Sequence, residues 1–447
     1  MGRVEMRRRI GAAVAVGALL LCSACGGGGG GAGDGQAGTS TSTEVTWWGW
    51  APGKDLADQY IAAFNEEHPD ITVTYREIPY AEYVNALRLG LRSDAGPDVF
   101  ALQPGEITDR FGPSAADLTS RADEALGADW RTAITGDAQS QFVVDEAQTA
   151  LPVQLSASGL IWYNQGLFDE AGVEVPTDAA SLRAACDAFA QAGIVCMGQG
   201  AQDAWANIDF YMTLAADFAP GAFYEAVDGA RPWTDPGLVQ AFAEWQRLVQ
   251  DGVFGEGAVG LTTYPDTSTA FVQGKSAMTL LGTWQAGFMD AESVRQSLED
   301  GDTELPVILP APFPDLSGDG TPPTTFGGPD YGLSISSSSD ATDASWTFVQ
   351  WLAASEAGQQ VVADNKFLPA LTDIPLPAEG LVDPAVQEPA LPEVVSFMAE
   401  AQGYREIPYA DVKVALGDAL AALAVGQQTP EQAAQAVQAA SDGVDRS

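Results

Sequence analysis

Residues 149–164 read TALPVQLSASGLIWYN, an apolar run broken at every second position by Gln154, Ser156 and Ser158. Pro152 stiffens its start. Small polar groups at a period of two suit a strand that buries one face and turns the other toward a cleft. Residues 159–164 form a second buried strand, and GLFDEAGV (166–173) then begins a helical region. Two extended segments with no helix between them can act as a hinge, because a few residues at element ends absorb a domain rotation. An ordinary strand and bend inside one domain fits the same residues, so the flanking sequence has to separate the two readings.

On the amino-terminal side, VTWWGW (45–50) reads as a strand running into aromatic residues. Residues 54–67 show helical spacing through Leu56, Tyr60, Ile61 and Phe64, His68-Pro69-Asp70 stops the helix, and residues 71–75 alternate as a second strand. A helix over 83–92 and a strand over 99–102 follow. This alternation is the rhythm of a parallel sheet covered by helices. On the carboxyl-terminal side, helices are predicted over 181–192, 208–218, 236–250 and 341–354, and strands over 194–197, 277–281 and 331–336. Residues 305–314 are extended and proline-rich. The remainder is helical with a stop near Gly426, and Pro430 suits the first turn of the last helix. YREIPYA occurs at 75–81 and again at 404–410. The first copy leaves a strand, the second enters a helix, and two distant copies do not make a solenoid.

The 447 residues carry 61 acidic and 20 basic side chains, a formal net charge of -41, with 46% hydrophobic content. That is enough apolar material for two or three domains. The acidity repels phosphate backbones and anionic lipid, which disfavours nucleic acid as a partner. No cluster of Arg or Lys marks a pocket for a strongly anionic ligand.

Arg3 and Arg7 to Arg9 precede an apolar run over 10–21 that is too short to span a bilayer comfortably, so it reads as an export signal. Cys22-Ser23-Ala24-Cys25 resembles a bacterial lipobox, whose last cysteine is acylated after cleavage, although Cys22 stands where leucine is usual. The expectation is a signal peptide over 1–24 and a lipid on Cys25. A flexible Gly, Ser and Thr tether over 25–43 then holds the protein outside the bacterial cell membrane. Of the four cysteines, Cys22 leaves with the signal and Cys25 carries lipid. Cys186 and Cys196 remain, and a disulfide between them is expected in an oxidising compartment. No metal site is expected, because the single histidine is His68 and no further Cys lies near the pair.

Gly255, Gly257 and Gly260 have dinucleotide-loop spacing but follow a helix, and Gly274-Lys275-Ser276 lacks the upstream glycine of a phosphate loop, Thr269 standing there. One histidine and no nucleophile elbow leave no catalytic triad, and no acid–base carboxylate pair stands out. No enzyme activity and no cofactor are expected. Aromatic placement does stand out: Trp47, Trp48 and Trp50 end the first strand, Trp205 lies in a loop reading AQDAWANID, and Trp284 follows a strand. Ligands gather at the carboxyl ends of strands in open α/β sheets. Sugar rings stack on indole while Asp, Glu, Asn and Gln take their hydroxyls. Trp47, on the face of Val45, is expected in the core, whereas Trp50 and Trp284, beside glycines at strand exits, are expected in the cleft.

FNEEHPDITV (64–73), GPDVFALQPGEITDRF (96–111), SGLIWYNQGLFDEAGVEVPT (158–177), FVQGKSAMTLLGTW (271–284), FGGPDYGLSI (326–335) and FVQWLAASEAGQQ (348–360) together resemble the family-one extracellular solute-binding proteins. These are sugar receptors of ABC importers and include maltose-binding protein. The resemblance runs in order from about residue 44 to 371. It implies an α/β, two-lobed periplasmic-binding-protein-like fold, each lobe a mixed, mostly parallel sheet flanked by helices, with about three hinge crossings. The first crossing would fall on Val153-Gln154-Leu155, the second on Phe326-Gly327-Gly328 and the third within 375–392. One lobe would comprise 44–153 and 328–385, the other 154–327 and 386–447. Trp284 matches the family's stacking tryptophan, and Glu77 and the loop from Gln103 to Glu106 match hydroxyl-binding places. The full set of ligand-binding candidates is Trp48, Trp50, Glu77, Tyr80, Gln103, Glu106, Trp205, Trp284, Gly327, Gly328 and Tyr331. Gln154 stands where maltose-binding protein has a hinge carboxylate, and Gln103-Pro104-Gly105-Glu106 replaces its tryptophan before the DRF turn, so maltose itself is not implied.

The expected function is a monomeric, lipid-anchored receptor that closes on a neutral sugar or oligosaccharide and delivers it to a membrane permease. A receptor for another solute (a polyol, glycerol phosphate or a peptide) would share the fold. A secreted glycan hydrolase is the enzymatic alternative.

Overall fold

The computed structural model describes residues 43–93, 95–298 and 304–446. The expectations placed on residues 1–42, including lipid on Cys25, lie outside them. The strands are β1 (Thr43–Gly49), β2 (Ile71–Glu77), β3 (Val99–Leu102), a short hairpin of β4 (Val143–Val144) and β5 (Ala147–Gln148), β6 (Leu151–Ser158), β7 (Leu160–Asn164), β8 (Val195–Gly198), β9 (Ser276–Leu280), β10 (Ile308–Pro312), β11 (Phe326–Ile335) and β12 (Leu368–Pro369). They make a six-stranded sheet of order β12-β6-β11-β3-β1-β2 and a four-stranded sheet of order β10-β7-β9-β8. Pairs β1–β2, β1–β3 and β8–β9 are parallel and the other pairs of these sheets antiparallel. In direction, β11 and β12 run against the rest of the first sheet, and β7 against the rest of the second.

The parallel pairs arise where helices return the chain. Lys54–Glu67 carries it from β1 to β2 and buries Ala57, Tyr60 and Phe64 on one face. Tyr80–Gly90 leads toward β3 and buries Tyr83 and Leu87. That helix begins before the predicted residue 83 because Pro79 already sits at its N-cap, where fixed φ is no obstacle. Cys186 in the helix Ala179–Ala192 is disulfide-bonded to Cys196 on β8, joining that helix to the strand after it.

The opening stretch becomes β6 and β7. β6 stays in the first sheet along its length, pairing with β11 as far as Ser158 opposite Phe326. Gly159, at φ +92°, then turns the chain into the second sheet. The change of sheet therefore falls beyond Val153-Gln154-Leu155. β11 spans the same passage in reverse, with Phe326 in one hydrophobic cluster and Tyr331 in the other. A further link runs from Thr372, whose N–H donates to the Ala133 carbonyl, to Val382, whose N–H donates to the Met289 carbonyl.

The first hydrophobic cluster gathers Trp47, Tyr60, Phe64, Phe100 and Tyr331. The second gathers Phe168, Phe210, Tyr211, Trp245 and Leu420. The carboxyl-terminal helices Ala410–Ala424 and Pro430–Ser441 pack into the second, where the Trp245 indole donates to the Leu420 carbonyl at 3.1 Å. Among the described residues, no helix is long and apolar enough to cross a membrane.

Candidate functional site

The parallel register brings the carboxyl ends of β1, β2 and β3 to one edge, and with them Trp50, Glu77 and Gln103. The carboxyl ends of β8 and β9 lead into Trp205 and Trp284. Trp284 is placed by the two residues before it. A side chain at Gly282 would collide with the Ala157 carbonyl and with the indole itself, and the Thr283 hydroxyl accepts the Ala157 N–H at 3.0 Å. Trp205 is not in a loop as expected: it lies in the first turn of the helix Ala204–Phe218. Asp203, at the N-cap, accepts the Thr263 N–H at 2.7 Å and so draws in Tyr264.

Trp205 and Tyr264 are nearly parallel, with centroids 6.0 Å apart, and Trp284 stands edge-on to Trp205 at 6.3 Å. The Trp284 indole N–H donates to the Tyr264 hydroxyl at 2.8 Å. Tyr264 keeps 45% of its surface open, yet desolvation raises the pKa of its hydroxyl. On the other side, Trp50 meets Tyr80, Tyr83 and Tyr331 edge-on at 5.6, 4.9 and 6.2 Å. The Tyr80 hydroxyl donates to Gln103 Oε1 at 2.6 Å.

An ionic cluster lies between these walls. Arg405 Nε donates to Asp209 at 3.0 Å and its Nη1 to Asp330 at 3.4 Å, while its guanidinium covers the Trp284 ring at 4.1 Å. The period-two polar residues of β6 all point here: Gln154 and Ser156 donate to Asp330, and Ser158 to Asp209. Burial pushes both carboxyls above their ordinary range, with Arg405 opposing the shift. Lys413 pairs with Glu406 at 2.7 Å. Burial works against the Glu406 charge, but Lys413 and Arg405 hold its carboxyl low. Tyr80 faces this pair, and burial pushes its hydroxyl up to about 12.

Trp50, Tyr80, Gln103, Trp205 and Trp284 are thus brought together. Trp48 is not: it is 8% exposed, its ring packed where a side chain on Gly90 would stand. Glu77 is exposed and accepts the Lys54 N–H at 3.1 Å, capping a helix. Glu106 pairs with Arg110 within its own helix, although Gly105 beside it lies against Glu406. Tyr331 is buried beneath Trp50 and supports it. Gly327 and Gly328 act through the backbone, since side chains there would strike the Ser156 carbonyl and Gln141. Sequence reasoning missed Tyr264, Asp209, Asp330, Arg405, Glu406 and Lys413, and its finding of no basic cluster overlooked that Arg405 and Lys413 converge by folding. The one available signal was the second YREIPYA, which contains Arg405 and Glu406. Among the described residues, no group of three or more His, Cys, Asp or Glu could hold a metal ion.

Two sheets joined by antiparallel crossing strands, with aromatic walls and an acidic floor between them, define a two-lobed ligand-binding protein of the periplasmic-binding type. The chain belongs to the family described as bacterial extracellular solute-binding protein, which it matches over residues 50–359. It is 26% identical over 249 residues to the alpha-glucosides-binding periplasmic protein AglE of Rhizobium meliloti (strain 1021), covering 48% of this chain and 53% of that one. To the galactooligosaccharide-binding protein of Bacillus subtilis (strain 168) it is 25% identical over 260 residues, 56% of each chain. The chain spans between 53% and 60% of the length of the curated relatives it matches. Among solved structures, it superposes on a chitin oligosaccharide binding protein with a TM-score of 0.73 at 21% identity, covering 90% of this chain and 98% of the other. Maltose-bound T. maritima MalE3 gives 0.71 at 20% identity, covering 90% and 99%. These similarities describe the fold.

Proposed function

We propose that the chain is the extracytoplasmic substrate-binding lipoprotein of an ABC importer, which closes its lobes on a neutral sugar or oligosaccharide and delivers it to the permease. The carrying observation is the aromatic wall of Trp205, Tyr264 and Trp284 set beside buried Asp209 and Gln154 and partly buried Asp330. A sugar ring offers apolar C–H faces to indole and phenol, and its hydroxyls donate to carboxylates and amides. The names of the relatives, which bind alpha-glucosides and galactooligosaccharides, support the same ligand class.

In this reading the two lobes follow the two sheets, with β6 through Ser158 belonging to one lobe and β7 from Leu160 to the other. Lipid on Cys25, after removal of 1–24, holds the protein at the membrane, and it acts as a monomer. A phosphorylated ligand is disfavoured because Arg405 and Lys413 are already engaged by carboxylates. Titration calorimetry with a panel of neutral mono- and oligosaccharides should find a ligand near micromolar, about -8 kcal/mol. No binding heat and no thermal shift with any of them would overturn the reading, and turnover of an oligosaccharide would favour a hydrolase instead.

A further inference from the structure

The repeated heptapeptide makes the same contact twice. In the first copy, the Arg76 guanidinium lies 4.4 Å from the centroid of the Trp48 ring, and in the second Arg405 lies 4.1 Å from that of Trp284. The preceding tyrosine packs on another ring in each case, Tyr75 on Trp47 at 4.3 Å and Tyr404 on Tyr224 at 5.0 Å. Ile78 and Ile407 are both buried. Both copies run into helices, Tyr80–Gly90 and Ala410–Ala424, so the first copy enters a helix as the second does. The surroundings differ. Arg76 is exposed and its tryptophan belongs to the core, whereas Arg405 is enclosed and its tryptophan borders the cleft.

We propose that Arg405 is a positioning residue of the ligand site: it clamps one face of the Trp284 indole, leaving the opposite face for the ligand, and ties that indole to the crossing strand β11 through Asp330. Three restraints then act on one side chain. The guanidinium covers a face, Tyr264 takes the indole N–H, and the missing side chain at Gly282 fixes how closely the ring folds back. A planar guanidinium can lie flat on an indole while its edge serves two carboxylates, which a lysine ammonium cannot do. An indole held in place before the ligand arrives loses less freedom on binding. As a statement about ligand, this rests on the carbohydrate reading; as a statement about Trp284, it does not.

The experiment compares Arg405→Lys with Arg76→Lys, which alters the equivalent contact in the core. A third variant, Asp209→Asn/Arg405→Gln/Asp330→Asn, removes the clamp without leaving buried carboxylates unpaired, so the test survives if Arg405→Lys fails to fold. Affinity is measured by calorimetry with the tightest sugar of the panel. The Trp284 signal is read in ligand-free protein as the near-ultraviolet dichroism difference from a Trp284→Phe background. Arg405→Lys should lose about tenfold or more in affinity and alter the Trp284 signal, the triple variant, which also removes two proposed hydroxyl acceptors, should alter the Trp284 signal, and Arg76→Lys should change neither. Parental affinity in the folded triple variant overturns the proposal whatever the spectrum does. If no sugar binds the parent protein, the proposed function fails and the spectrum alone decides: an unchanged Trp284 signal overturns the clamp, and an altered one supports it.

Discussion

Asp217 provides a quantitative test of the electrostatics beside the cleft-forming helix. It lies in the last turn of Ala204–Phe218 and is 4% exposed. Its Oδ2 accepts the N–H groups of Leu316 and Ser317 at 2.9 and 3.0 Å, and its Oδ1 has no partner among the described residues. Burial, with the nearby Asp315 adding to it, pushes the carboxyl from its ordinary 3.8 to about 6. A negative charge at a helix carboxyl end is also opposed by the helix dipole. Because the folded state holds this proton more tightly than the unfolded chain, the contribution to stability is complete below about pH 3.8 and is lost as pH rises through about 6. The difference is on the order of 3 kcal/mol. Asp217→Asn keeps an acceptor for both N–H groups and removes the charge. At pH 8 the variant should exceed the parent in stability by up to on the order of 3 kcal/mol, and the gap should close by pH 4. Urea unfolding followed by tryptophan fluorescence at intervals across that range measures it. A gap that is constant with pH, or a variant weaker at pH 8, would refute the reasoning.

Replacing both Cys186 and Cys196 with serine opens a link of sequence separation 10 and should cost roughly 3 kcal/mol by loop entropy, read as a lower melting temperature; an unchanged melt would show that the helix needs no staple. Gly327→Ala puts a methyl group against the Ser156 carbonyl in the crossing ribbon and should destabilise by about 1–3 kcal/mol in the same assay, an unaltered stability meaning that the two strands can separate freely. Trp284→Ala should weaken sugar binding about tenfold or more by calorimetry, and parental affinity would remove Trp284 from the site.

Regular elements were legible where one face alone is buried. Lys54–Glu67 and Pro236–Gln250 alternate apolar and polar residues at helical spacing, and both were found to the residue. The helix Ala204–Phe218 was read as starting late because Ala206 through Ala215 are all buried, leaving no polar face to mark its period. Its first turn, with Trp205, therefore looks like a loop in the sequence. β11 was read from residue 331, whereas it starts at Phe326. Gly327-Gly328-Pro329 looks like punctuation, yet at Gly327 strand β6 passes too close for a side chain, and at Gly328 the Gln141 side chain does.

The ionic centre was hidden for a different reason. Arg405 meets Asp209 across a separation of 196 residues, and Gln154 meets Asp330 across 176. Pairings over such separations leave no local pattern, and apart from the repeated YREIPYA nothing near these residues distinguishes them from surface. The alternation of Gln154, Ser156 and Ser158 predicts a polar face without its partners, and the repeat marks Arg405 and Glu406 without a role. Those partners change what the net charge means. The overall acidity argued against anionic ligands from outside the molecule, but the cleft could still have concealed a basic pocket. Instead Arg405 and Lys413, which folding brings there, are held by Asp209, Asp330 and Glu406. A ligand bearing its own negative charge would have to compete with these carboxylates for Arg405 and Lys413, a cost that a neutral ligand does not meet.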